Sequence, residues 1–347
     1  MRVLAAGDHF VGPDLMDATL RRELGDAELD VPRLTLPWPV EPFGPVGAVD
    51  EASGTEDQVI EALPGATACV TQMAPFTEKV FASCPELRLV AVCRGGPVNV
   101  DLPAATRAGV AVTYAPGRNA AAAAEYAVGM MLAALRNIPD THADLHAGSW
   151  RGDCYAYDKA GLELAETTVG LVGYGAIGRI VARVLVAFGA HVLVADPYAD
   201  ADAVAAEGAR LVGLEELLRA SSVVSLHARL TEETRHLIGA AQLDLLPDGA
   251  VLVNTARGGL LDYDALPGAL RSGKLSAVAL DVYDVEPPPA DWPLRDVPGV
   301  LATPHLAGAT RQTAQRAARI VAAEVGRFVR GEPLANVANP DVLKVQS

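Results

Sequence analysis

The chain has 347 residues, 50% of them hydrophobic and 20% charged, with a formal net charge of −15. That length exceeds one ordinary hydrophobic core and predicts about two domains, in a globular rather than a disordered chain. The negative charge speaks against nucleic acid or an anionic membrane surface as partner, because phosphate would be repelled.

Four cysteines, at 69, 84, 93 and 154, show neither CxxC pairing nor zinc-ligand spacing with histidine. They read as free thiols of a reducing compartment, with no metal implied. The N-terminal MRVLAAGDHF begins like a first strand and lacks the basic start and long apolar run of a signal peptide. No stretch approaches the roughly 18 unbroken apolar residues of a membrane helix. The expected location is the cytoplasm.

The first hundred residues read as short apolar strands: MRVLAAG, ATACVTQ at 66–72, LRLVAVC at 87–93 and GVAVTYAP at 109–116. The Pro- and Gly-rich stretch VPRLTLPWPVEPFGPVGAVD, ending at Asp50, is expected to be irregular, since proline fixes φ and removes a donor. At Asn119, a residue suited to a helix N-cap, a helix opens over NAAAAAEYAVGMMLAALRNI. Being apolar on most faces, it belongs either in a core or at an interdomain or dimer interface.

From Thr168 apolar strands alternate with helical segments: TVGLVGYG, AHVLVADP, SVVSLHA, AVLVNTARG, SAVALDVYD and GVLATPH, with AIGRIVARVLVAFG and LEELLRA between some of them. Continuous apolar strands of this kind build a parallel sheet covered on both faces. The expectation is an α/β protein with a doubly wound parallel-sheet domain over 117–308. A smaller, discontinuous domain takes 1–116 and 309–347, and the amphipathic segment ATRQTAQRAARIVAAEVGRFVRGE returns to it.

Within the doubly wound part, Gly173-Tyr174-Gly175-Ala176-Ile177-Gly178 is a GxGxxG pattern that follows a strand and opens a helix. That context is what a dinucleotide fingerprint requires: a tight turn, close approach of backbone to a pyrophosphate, and close helix–strand packing. The helix N-terminus then presents N–H groups and partial positive charge to the phosphates. Asp196 ends the next strand eighteen residues beyond Gly178, near the ~20 expected of the acid that binds the ribose hydroxyls. The acidic run DPYADADA that follows would repel a 2′-phosphate, so the cofactor reads as NAD rather than NADP.

Three polar residues lie just past strand ends: Arg257 after AVLVNTA, Glu286 after VALDVYDV and His305 after VLATP. Ligands of open parallel sheets bind beyond such ends. Interconverting a 2-hydroxy and a 2-oxo acid needs a fixed cation for the carboxylate, which arginine grips bidentately. It also needs a group that gives a proton to the carbonyl oxygen and takes it back, and histidine suits that near neutral pH. A carboxylate would hold the ring in one tautomer. The trio therefore reads as Arg257 for orientation, His305 as general acid/base and Glu286 as its partner.

These segments, with APGRNAAAAAEYAVGMMLAALR, VVSLHARLTEETRHLIG, VLVNTARGGLLD, ALDVYDVEP and TPHLAGAT in that order, resemble the D-isomer-specific 2-hydroxyacid dehydrogenase family. The resemblance implies that Arg257, Glu286 and His305 are catalytic and that Thr255, Ala256 and Asp281 line the nicotinamide end. It also implies two flavodoxin-like lobes, the smaller one binding substrate, and a homodimer built around the helix near Asn119. The family's substrate loop, often GxGVDNID, is here Cys93-Arg94-Gly95-Gly96-Pro97-Val98-Asn99-Val100-Asp101. Gly95 and Gly96 could still cradle a carboxylate. Arg94 is either a second anion site or the partner of an acid in the other lobe. Ala228, after His227, departs from the residues relatives carry near the cofactor. Two alternatives share the architecture: formate dehydrogenase, which pairs its histidine with an amide, and an NAD-sensing corepressor-like scaffold without turnover. With the chain ending at Ser347, feedback through an added C-terminal domain is not expected.

Overall fold

The structure, a computed structural model, describes residues 1–25 and 28–345. They form two compact units, residues 1–119 with 309–347, and residues 120–308. The first boundary falls at 119/120 against the 116/117 expected from sequence.

The first unit holds strands β1 (Val3–Gly7), β2 (Arg33–Thr35), β3 (Gly44–Val46), β4 (Val49–Ala52), β5 (Ala68–Thr71), β6 (Leu89–Val92) and β7 (Ala111–Tyr114). Five of them make a parallel sheet in the order β2-β1-β5-β6-β7. Alternation along β1 explains why both faces are covered. Val3 and Ala5 pack with helices Pro13–Leu24 and Arg311–Arg330, while Leu4 and Ala6 pack on the opposite face with Val59, Val80 and Ala104. The Arg311–Arg330 helix thus belongs to this first unit.

The Pro-rich stretch is more ordered than its composition suggested. Its first part supplies edge strand β2, and β3 pairs with β4 as an antiparallel hairpin turning at Gly47, whose φ is +58°. Proline is tolerated because β2 is an edge and the hairpin has only two strands, so a missing N–H breaks no central ladder.

The second unit holds β8 (Thr168–Val172), β9 (His191–Ala195), β10 (Arg210–Leu211), β11 (Val223–Leu226), β12 (Ala250–Asn254), β13 (Leu275–Leu280) and β14 (Val300–Ala302). They form one parallel sheet in the order β10-β9-β8-β11-β12-β13-β14, a Rossmann-like arrangement whose order reverses between β8 and β11. On one face lie the helices Ala120–Leu135 and Ala176–Ala187, against Val169, Leu171, Val194 and Val253. The alanine-rich helix is therefore a core helix of this unit, which accounts for its near-uniform apolarity. Leu217, Leu243, Leu266 and Val224 fill the other face.

Candidate functional site

The glycine-rich loop leaves β8 at the switch point of the sheet, and its three glycines meet different demands. Gly173 has φ +103°, and a Cβ there would lie 2.5 Å from the Ala228 nitrogen. A Cβ on Gly178 would lie 2.3 Å from the Gly173 carbonyl oxygen. Both positions are closed by the protein itself. At Gly175 a Cβ would meet nothing within 4 Å, so its smallness serves something outside the chain. Directly after it, the Ala176–Ala187 helix begins without a side-chain cap, leaving the first N–H groups, including those of Ala176, Ile177 and Gly178, to an anionic ligand.

Asp196 stands at the end of β9. Its Oδ2 accepts a 2.7 Å hydrogen bond from the Tyr174 N–H, and its Oδ1 one of 2.9 Å from the Tyr198 N–H. The acid is thus tied to the glycine loop itself. His227, past β11, lies behind that loop with Nε2 3.0 Å from Ser225 Oγ. Burial pushes its imidazole down to about 4, so it is neutral at physiological pH. Ala228 supplies the backbone against which Gly173 turns, a contact independent of side-chain type. At the end of β12 the Thr255 hydroxyl is buried without a partner. An open glycine, an uncapped helix start, a placed carboxylate and an orphaned hydroxyl together suit a dinucleotide.

Arg257 follows on the same strand end. Asn254, fully buried, accepts from the Ala256 N–H (3.1 Å) and donates to the Arg257 carbonyl (3.0 Å), clamping the turn. The guanidinium is exposed and donates to the Ala256 carbonyl alone. Gly258 brings this turn against the loop after β13, where a Cβ would sit 1.9 Å from the Tyr283 carbonyl oxygen. Sequence reasoning missed Asn254 and Gly258, although both lie inside the NTARGG motif.

Glu286 and His305 meet across the ends of β13 and β14, with His305 Nδ1 2.6 Å from Glu286 Oε2. The other carboxylate oxygen accepts from the Tyr283 N–H at 3.0 Å. Burial raises the Glu286 carboxyl, but the hydrogen bond and charge of His305, the Tyr283 N–H and nearby Arg257 together hold it below the ordinary carboxylate range. His305 adopts a left-handed φ of +55°. Asp281, fully buried, holds that turn. Its Oδ1 accepts from Thr303 Oγ1 (2.7 Å) and the Leu306 N–H (2.8 Å), its Oδ2 from the Ala307 N–H (2.8 Å). All these groups belong to the second unit.

In the first unit, Arg94 pairs through Nη2 with the Glu51 carboxylate. Its partner is therefore an acid of its own unit, not of the other. Gly95 and Gly96 are open, with nothing within 4 Å of a would-be Cβ. Among the described residues, no helix is long and apolar enough to cross a membrane, and no cluster of His, Cys, Asp or Glu suits a metal ion.

Residues 128–307 match the family model described as D-isomer specific 2-hydroxyacid dehydrogenase, NAD binding domain. A glyoxylate reductase of Korarchaeum cryptofilum is 37% identical over 298 residues, covering 86% of this chain and 90% of that one. A D-3-phosphoglycerate dehydrogenase of Methanocaldococcus jannaschii is also 37% identical, but the match spans only 56% of its length. Among solved structures, the D-lactate dehydrogenase of Escherichia coli superposes with a TM-score of 0.77 at 26% identity, covering 97% of this chain and all of that one.

Proposed function

The chain belongs to the D-isomer-specific 2-hydroxyacid dehydrogenase family, NAD-dependent oxidoreductases, and from that premise we propose that it interconverts a small D-2-hydroxy acid and its 2-oxo acid. The 2.6 Å contact between His305 Nδ1 and Glu286 Oε2, beside an exposed and nearly unengaged Arg257, carries the reading. NAD(H), when bound, accepts or supplies the hydride at the substrate's C2. Gly173, Gly175, Ala176, Ile177, Gly178 and Asp196 are the residues to hold its adenosine and pyrophosphate. Thr255, Ala256 and Asp281 would stand at its nicotinamide end.

The chain's own groups handle the carboxylate and the proton. Arg257 takes the substrate carboxylate in a bidentate pair, which fixes the 2-oxo group in one orientation. With Nδ1 committed to Glu286, the imidazole is locked in one orientation and keeps Nε2 for the substrate. In reduction Nε2–H passes its proton to the carbonyl oxygen. In oxidation Nε2 takes the hydroxyl proton, and the ionised Glu286 stabilises the imidazolium formed. Glu286 is a carboxylate rather than an amide, which favours this chemistry over formate oxidation.

We assign the protein to the cytoplasm as a homodimer. Exposed Ile138, Leu145, Trp150, Tyr155 and Tyr157 in the second unit support self-association. The function is tested by following NADH consumption with 2-oxo acids in the wild type and Arg257→Ala. Turnover lost in the variant supports it, and turnover that survives undiminished counts against it.

A further inference from the structure

Tyr283, buried just past the end of β13, meets the turns that carry Arg257, Glu286 and His305. Its N–H donates to Glu286 Oε1 at 3.0 Å. Its carbonyl faces the turn after Arg257, at the place where Gly258 has no room for a Cβ. Its hydroxyl donates at 2.8 Å to the carbonyl of Thr303, just before His305. That same carbonyl accepts a 3.0 Å hydrogen bond from the His305 N–H, which closes the left-handed turn of the histidine. The Tyr283 ring is held edge-to-face against Trp292, with centroids 5.3 Å apart and planes at 84°.

These contacts differ in what they require of the residue. Any amino acid but proline supplies the N–H and the carbonyl; only the hydroxyl is tyrosine's own. The packing against Trp292 would be met by phenylalanine. Burial pushes the phenol up to about 12, so it stays protonated, and a donor, at neutral pH. Asp281 holds the Thr303 hydroxyl and the N–H groups just after His305, whereas Tyr283 holds the carbonyl just before it. One residue thus fixes the carboxylate at one end of the Glu286–His305 contact and the backbone that carries the ring at the other.

We propose that Tyr283 is a positioning residue, whose N–H on Glu286 and hydroxyl on the Thr303 carbonyl together set the contact between Glu286 and His305. Its effect on turnover rests on the dehydrogenase function argued above; its effect on the orientation of the His305 ring does not. Proton transfer depends on the placement of Nε2. Loss of the hydroxyl therefore acts on turnover and leaves the affinity for NADH in place.

Tyr283→Phe deletes one oxygen and keeps the ring on Trp292. With a 2-oxo acid that the wild type reduces, kcat should fall about tenfold, while KM for NADH and the melting temperature stay near wild type. The same substitution in Glu286→Ala, where no contact is left to set, should cost less than about twofold. A kcat within about twofold of wild type overturns the proposal. So does an equal loss in both backgrounds, the mark of a hydroxyl that serves only the fold. Proton–carbon NMR of the histidine rings reads the site without turnover. Of the seven histidine signals, the one lost in His305→Ala should shift in Tyr283→Phe while the rest stay in place. An unmoved His305 signal overturns the proposal, and turnover of a 2-oxo acid in that case leaves the dehydrogenase reading intact. A shifted signal in a protein that reduces no 2-oxo acid sinks that reading and supports the positioning role.

Discussion

His305 and Glu286, contributed by neighbouring strand ends of one sheet, stand 2.6 Å apart through Nδ1 and Oε2. The contact orients a ring that no other described hydrogen bond holds, so removing its charge has two separable effects. Glu286→Gln should lower kcat about a hundredfold while NADH binding persists, as steady-state turnover and fluorescence titration would show. Its carboxyl titrates below the ordinary range in the folded protein. The stabilisation it gives is therefore present above the unfolded-state value and is lost as pH falls through the folded one. Urea melts should find Glu286→Gln about 1 kcal/mol less stable than wild type at neutral pH, with the gap closing in acid.

The Arg257 guanidinium donates one described hydrogen bond, to its neighbour's carbonyl, and its replacement should cost the fold little. Arg257→Lys keeps the charge but loses the planar fork. It should reduce kcat/KM for 2-oxo acids about a hundredfold with a melting temperature near wild type. A large drop in melting temperature would assign the arginine a structural role instead.

Asp281 accepts three hydrogen bonds that hold the left-handed His305 turn. Asp281→Asn sets an NH2 against an N–H or O–H donor in a site with no solvent. The expected loss is about 2 kcal/mol in urea unfolding, accompanied by lower kcat.

Asp196 is anchored to the glycine loop by Tyr174 N–H. Replacing it with serine removes the charge that repels a 2′-phosphate. The ratio of kcat/KM for NADH to that for NADPH should fall at least about tenfold, measured with a common 2-oxo acid.

The strand-turn-helix pattern of the second unit was readable because its strands are continuous apolar runs and each motif residue sits at a strand end. Val169, Leu171, Val251 and Val253 announced a buried parallel sheet, and GYGAIG announced its switch point. What sequence did not carry was contact between distant segments. Gly258 looks like an ordinary turn glycine until Tyr283 closes on it, and Asp281 looks like a strand end until the His305 turn folds over its carboxylate. The hairpin at Gly44–Ala52 was hidden by prolines, which are harmless in a two-stranded sheet. Arg94 shows the same limit: only the folded chain reveals that it is paired with Glu51.

The most direct test follows NADH absorbance on addition of 2-oxo acids to wild type and His305→Ala. Turnover of at least one acid by the wild type, reduced about a thousandfold in His305→Ala with NADH still bound, is the predicted result. Undiminished turnover in His305→Ala, or a wild-type protein that binds NADH yet reduces no 2-oxo acid, would contradict the account.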